Sequence, residues 1–196
     1  MLDETFNWRR LRGTVREALY TLPHFLKNPV DGIRHLPDWD WPTLIALQAG
    51  FAIVCGFLME ILQRHIIAAI VWFFVAPVVA TLVSIVASGC FYYIFMFGFG
   101  RHLGFRKIFT HMLFASIPVL LASILTPFIP LIKLVGVGAA CMLLIVGFSS
   151  NFDLPVRKVR NLIFTVFLIY AGYLLLQMIS WQGGKENLRL RATPES

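Results

Sequence analysis

Few side chains in this sequence combine the type and the spacing that bond-making chemistry needs. Cys55, Cys90 and Cys141 stand singly in apolar runs. With no CxxC pair among them, neither a disulfide nor a thiolate metal site is expected, and each reads as a small apolar filler. His65, His102 and His111 form no HExxH, and Glu60 with His65 has the wrong spacing for that motif. No Walker loop or nucleophile elbow occurs, and Gly98-Phe99-Gly100 ends a helix without a phosphate-cradling helix after it. The expectation is no catalytic residue, no cofactor and no bound metal. The polar groups left inside apolar runs are Gln48, Ser84, Ser88, Ser116, Ser123 and Gln177. Their ordinary work is interhelical hydrogen bonding, worth roughly 0.6 to 2 kcal/mol each.

The elements that carry these residues follow from composition. The chain is 58% apolar and only 14% charged, which is the balance of a protein whose solvent is the bilayer. A crossing helix needs roughly 20 mainly apolar residues for a hydrocarbon core about 30 Å thick. Residues 43–62, 108–126, 131–150 and 161–181 fit directly. Residues 66–99 contain no charge, yet a straight helix of that length would reach about 51 Å, too long for one span. Two spans would leave about 15 residues each, below the roughly 17 usually needed. Pro77 lacks an N–H and clashes with the preceding turn, so the reading is one span over 78–99 preceded by a short apolar segment, 66–76. Trp72, Phe73 and Phe74 suit an interfacial position for it, with one long kinked helix as the alternative. The expected fold is all-α and polytopic: five transmembrane helices, an N-terminal amphipathic helix and the short interfacial segment before the second span.

Charge orients these spans, because Lys and Arg collect on the cytoplasmic side. With the N-terminus inside, the inner face holds twelve basic residues: Arg9, Arg10, Arg12, Arg16, Lys27, Arg34, Arg101, Arg106, Lys107, Arg157, Lys158 and Arg160. The outer loops hold only Arg64 and Lys133, and the tail places Lys185, Arg189 and Arg191 outside. The net charge of +7 is thus chiefly a topological signal and gives no reason to expect nucleic acid as a partner. Within the first forty residues basic and acidic groups balance. Trp8, Leu11, Val15, Leu19 and Leu22 share one helical face that either dips into the inner leaflet or packs on the protein's own loops. The start lacks the apolar core and cleavage site of a signal peptide, so the first span is expected to act as an uncleaved anchor. Trp39 and Trp41 mark the inner interface and Pro42 suits the first turn of the opening span, while Trp181 with Gly183-Gly184 marks the outer boundary and a helix stop. The organisation is a cytosolic region 1–36, a membrane domain 37–182 and a polar tail 183–196.

Small residues show where helices can meet closely within lipid. Ala46 with Gly50 and Ala52 with Gly56 give the first span two such pairs, and Gly136 with Ala140 gives the fourth a comparable face. They are expected to be intramolecular seams, with a homo-oligomer interface as the alternative. Pro77 and Pro118 are the expected kink sites.

From residue 28 onward, turns and spans follow one another with a distinct punctuation. A basic Gly-rich turn, Gly100-Arg101-His102-Leu103-Gly104-Phe105-Arg106-Lys107, leads into a span carrying Phe114-Ala115-Ser116-Ile117-Pro118. A proline-marked hairpin, Pro127-Phe128-Ile129-Pro130, comes next, then a span ending Val146-Gly147-Phe148, then Leu154-Pro155-Val156-Arg157-Lys158. This order and punctuation resemble the Yip family, and Asn28-Pro29 and Leu36-Pro37 look like that family's approach to its first span, so the likeness covers residues 28–182. It implies five transmembrane helices and a cytosolic N-terminus. Eukaryotic members resemble adaptors for small GTPases in vesicle traffic. This chain lacks their long N-terminal region and keeps only Asp153-Leu154-Pro155 of a fuller Asp-Leu-Tyr-Gly-Pro type of motif, so GTPase binding does not carry over and the bacterial branch is the better fit.

The function expected is a non-enzymatic interaction role in the bacterial cytoplasmic membrane, either organising membrane or anchoring a cytosolic partner. Arg101, Arg106, Lys107, Arg157, Lys158 and Arg160 are the expected contacts for anionic lipid headgroups or an acidic protein, unless they serve orientation alone. A small-solute or ion transporter is the rival, although such proteins usually carry intramembrane charges or broken helices.

Overall fold

The computed structural model describes residues 8–63, 66–129 and 131–192. Arg64, His65 and Pro130 lie outside the described residues, as do the side chains of Trp8, Leu11, Val15, Leu19, Gln177, Trp181 and Lys185. Every regular element among the described residues is helical: α1 (Trp8–Lys27), α2 (Pro29–Gly32), a 3₁₀ turn (Ile33–His35), α3 (Trp41–Leu62), α4 (Ile66–Phe99), α5 (Phe105–Leu125), α6 (Ile132–Asn151) and α7 (Val156–Ala192). By length and composition four of them are able to cross a membrane: Trp41–Leu62, Ile67–Phe99, Phe105–Leu125 and Ile132–Asn151.

The helices form an antiparallel bundle in which α5 packs on α3, α4 and α6, while α7 packs on α6. Starts of α3, α5 and α7 therefore meet the ends of α4 and α6 at one end of the molecule, called here the basic end. The helix ends are chemically specified. Pro42 sits in the first turn of α3, where its missing N–H costs nothing, and the Thr43 hydroxyl donates to the Asp40 carboxylate. At the close of α4, Gly100 turns the chain with φ +62° and the Arg101 N–H bonds back to Phe95 O at 3.2 Å. That left-handed closure is the usual way a helix satisfies its last carbonyls.

Three expectations are corrected. The segment 66–76 is not separate from the second span, because α4 runs unbroken from Ile66 to Phe99 with Pro77 inside it. Proline removes one backbone bond, whereas a break in a fully apolar stretch would leave several backbone groups unsatisfied in lipid. Around it the Thr81 hydroxyl donates to Pro77 O at 2.7 Å. Trp39 does not mark a lipid interface: it is 2% exposed and stacks on Phe114 with ring centroids 5.3 Å apart. The bundle supplies a drier, aromatic partner than the headgroup region does. Finally, α7 does not stop at Gly183-Gly184 but continues to Ala192. Each glycine costs a helix about 1 kcal/mol, and the residues that follow, Lys185, Glu186, Leu188 and Arg189, are good helix formers.

The core lies toward the basic end. Phe91, Phe95, Phe109, Phe114, Phe148 and Phe152 from three helices and the α6–α7 connection are buried there with Leu44, Ile108, Val159 and Ile163. Phe148 is its centre, edge-on to Phe95 at 5.0 Å and tilted against Phe91 at 5.4 Å. By contrast α4 leaves most of its apolar surface exposed, including Ile67, Phe74, Val78, Leu82 and Val86. Such a surface is stable only against hydrocarbon.

Candidate functional site

The N-terminal segment is built into the basic end by a small set of contacts. Phe25, 1% exposed, meets Phe114 edge-on at 5.1 Å, and Leu22 packs on the same core, so the last part of α1 docks on the bundle. The Asn151 amide donates to Ile33 O and to Gly147 O, each at 3.0 Å, tying the 3₁₀ turn to the end of α6. Gly147 allows this approach: a Cβ there would stand 2.8 Å from the His111 ring and 3.1 Å from Ile33. The His111 Nδ1 meets Lys107 O at 2.7 Å, its ring lies 5.2 Å from that of Phe152, and its Nε2 is buried without a partner.

Arg106 closes the outer rim of this cap through two bonds to Asp38, Nε to Oδ1 at 3.1 Å and an Nη to Oδ2 at 2.8 Å. This planar fork-on-carboxylate pairing holds the chain before α3 against the start of α5. Arg106 is therefore partly engaged within the protein. The other five residues of its expected group, Arg101, Lys107, Arg157, Lys158 and Arg160, are exposed around the same end. The bundle thus gathers two clusters separated by about fifty positions in sequence onto one surface.

The small-residue pairs divide. Ala46 and Gly50 are exposed, and a Cβ on Gly50 would meet nothing within 4 Å. Ala52 is buried, and a Cβ on Gly56 would lie 3.3 Å from Ala76 of α4. Gly136 and Ala140 are buried, and Gly136 faces α5 so closely that a Cβ would stand 2.6 Å from Ala122 Cβ and 2.9 Å from Pro118 O. Both prolines lie inside helices that continue through them.

A second feature lies away from the basic end. A cavity of about 510 Å³ opens among α3, α4 and α5 with Lys133 of α6 at its margin. Gln48, Ser84, Ser116 and Ser123, polar groups marked by the sequence, all line it. Ser116 and Ser123 donate to carbonyls of their own helix, but Gln48 is 3% exposed and its Oε1 has no partner. Residues of this cavity are scattered along four helices, and no spacing in the sequence groups them. Among the described residues no set of three or more His, Cys, Asp and Glu side chains stands close enough to hold a metal.

Compared with protein families, residues 24–179 match the Yip1 domain. No curated protein and no solved structure gave a match.

Proposed function

Because the chain belongs to the Yip family, an integral membrane protein family, we propose that it is a non-enzymatic interaction protein whose basic end contacts acidic surfaces, either anionic headgroups or a cytosolic partner. One observation carries this reading: five exposed cations lie around a packed aromatic cap to which the N-terminal segment is tied. Each Lys or Arg held near an anionic membrane surface contributes about 1 kcal/mol, so a grouped set acts together where single residues do not. Five crossings belong to the same proposal, with α7 as the fifth through apolar residues 161–181, the amphipathic N-terminal helix lying along the inner leaflet, and both the N-terminus and the basic end facing the cytoplasm of a bacterial cell. The excess of basic residues at that end supports the orientation.

Solute transport is the weaker reading. α4 carries no charged residue, and the charged residues of α3, α5 and α6, namely Glu60, Arg106, Lys107 and Lys133, fall near helix ends. Transport pathways ordinarily place such groups at the membrane midplane.

The test reverses charge at Arg157, Lys158 and Arg160 together. Protein reconstituted in neutral vesicles should tether vesicles containing phosphatidylglycerol, and the triple Glu variant should do so about a hundredfold less well, given three cations removed at about 1 kcal/mol each. Copurification from native membranes tests the protein-partner form in parallel. Tethering and copurified partners both unchanged in a folded triple variant would sink the proposal and leave the cations an orienting role only.

A further inference from the structure

We infer that the cavity among α3, α4 and α5 binds a long-chain fatty acid that carries a hydroxyl toward the far end of its chain. The volume of about 510 Å³ falls in the range of small-molecule sites, about 300 to 1,000 Å³. Its polar lining groups stand at two levels, with Ala52, Cys55, Gly56, Val79, Ala80 and Val119 between them. An occupant matched to this lining is polar at both ends and hydrocarbon in the middle.

Gln48 and Ser84 set the inner level. Gly56 of α3 faces Ala76 of α4, where a Cβ on the glycine would lie 3.3 Å from the Ala76 Cβ. The two helices run antiparallel, so Gln48, eight residues before Gly56, and Ser84, eight residues after Ala76, come to the same depth, about 12 Å along each axis. Gln48 is 3% exposed, its Oε1 has no partner, and its amide nitrogen makes no bond among the described residues. The hydroxyls of Thr81, Ser116 and Ser123 are spent on carbonyls of their own helices, whereas that of Ser84 has no partner among the described residues. Polar groups left unspent in an apolar surround are costly. A ligand hydroxyl both donates and accepts, so it meets the amide with either of its ends turned inward and can also bond Ser84. A carbonyl only accepts, and a charged group finds no counter-charge here, since Glu60 and Lys133, the charged lining residues, stand at the other level.

Lys133 sets the outer level. It is the second residue of α6, where the helix dipole adds to its positive charge, and it has no ion pair or hydrogen bond among the described residues. This end of the site therefore calls for an anion. Glu60 in the same wall is already engaged within the protein, and its charge weighs against an occupant with more than one negative charge. A carboxylate supplies that single charge. Glu60 and Ser123 lie in the last turns of α3 and α5, next to the turn bearing Phe128 and Ile129, which are exposed and form no part of the lining. The carboxylate is thus taken at the edge of the bundle and the hydroxyl within it. From Gln48 to Glu60 α3 rises about 18 Å, the length that one extended chain has to bridge.

The full-length protein, purified in a neutral detergent and titrated with four single-chain probes, tests this by native mass spectrometry. ω-Hydroxypalmitate carries both groups, palmitate lacks the hydroxyl, β-hydroxypalmitate has it at the wrong end, and hexadecanol lacks the carboxylate. ω-Hydroxypalmitate should be retained at about tenfold lower concentration than each of the other three, the difference of one well-made polar contact. Gln48→Leu, close in volume and more apolar, should remove its advantage over palmitate while leaving palmitate itself retained. Lys133→Gln should remove its advantage over hexadecanol. Ala80→Phe, which fills the cavity, should abolish retention of all four, and the two polar variants decide the matter should that protein not fold. Retention of none of the probes, equal retention of ω-hydroxypalmitate and palmitate, an advantage that survives in Gln48→Leu or Lys133→Gln, or full retention in folded Ala80→Phe overturns the inference. None of these outcomes bears on vesicle tethering by the basic end.

Discussion

At the scale of single residues, the junction of Gly147, His111, Ile33 and Asn151 is the most exacting part of the molecule. A side chain at position 147 has to displace the His111 ring and Ile33 together, and both belong to a packed end from which little can move. Gly147→Leu should therefore destabilise the protein by about 1 to 3 kcal/mol, the usual cost of overpacking, and loosen the N-terminal segment. Thermal unfolding in detergent measures the first effect, and protease cleavage within residues 20–40 the second. Asn151→Ala should reproduce the loosening with a smaller loss, about 1 kcal/mol for the missing hydrogen bond. A Gly147→Leu protein as stable and as resistant as the original contradicts this account. Neither contact was legible in the sequence: Asn151 and Ile33 stand 118 positions apart, and Arg106 and Asp38 stand 68 apart. No local periodicity connects such pairs, so the cap became visible only when the helices were assembled.

At the scale of elements, apolar runs and the charges between them were good guides. The expected spans at 43–62, 108–126 and 131–150 coincide closely with α3, α5 and α6. Here the hydrocarbon length of each run and the polar residues that bound it specify the same helix. Position 77 misled for a physical reason. In water a proline within a helix is usually a boundary, whereas in lipid the neighbouring backbone bonds are too costly to release. Replacing Pro77 by Leu restores one backbone N–H to α4. The variant should keep its helical content by circular dichroism and melt no lower than the original, with at most about 1 kcal/mol gained from the added bond. A loss of folded protein would show instead that the proline's shape is needed where α4 meets α3. The cavity and the polar residues along it were only half legible: Gln48 and the serines stood out as polar, but their convergence depends on how three helices lean together.

At the scale of the whole molecule, the two ends differ in kind. One is a closed aromatic cap ringed by cations, and the other bears the open cavity with Lys133 at its margin. The five crossings proposed above would place the N-terminus and the end of α7 on opposite sides of the membrane. A fluorescent protein fused before residue 1 should light up in a bacterial host, whereas the same fusion after residue 196 should stay dark and a periplasm-active phosphatase fused there should be active. Equal behaviour of the two fusions would contradict an odd number of crossings. The length of α4 has an effect beyond the protein itself. At 34 residues it extends about 51 Å, and containment in a core about 30 Å thick would require a tilt of about 54°, beyond the roughly 40° limit seen in membrane helices. A bend at Pro77, a local thickening of the bilayer or an apolar end riding above it would each take up the excess. In each case the mismatch falls on one flank of the bundle, so the cost of seating α4 would change with the thickness of the surrounding bilayer.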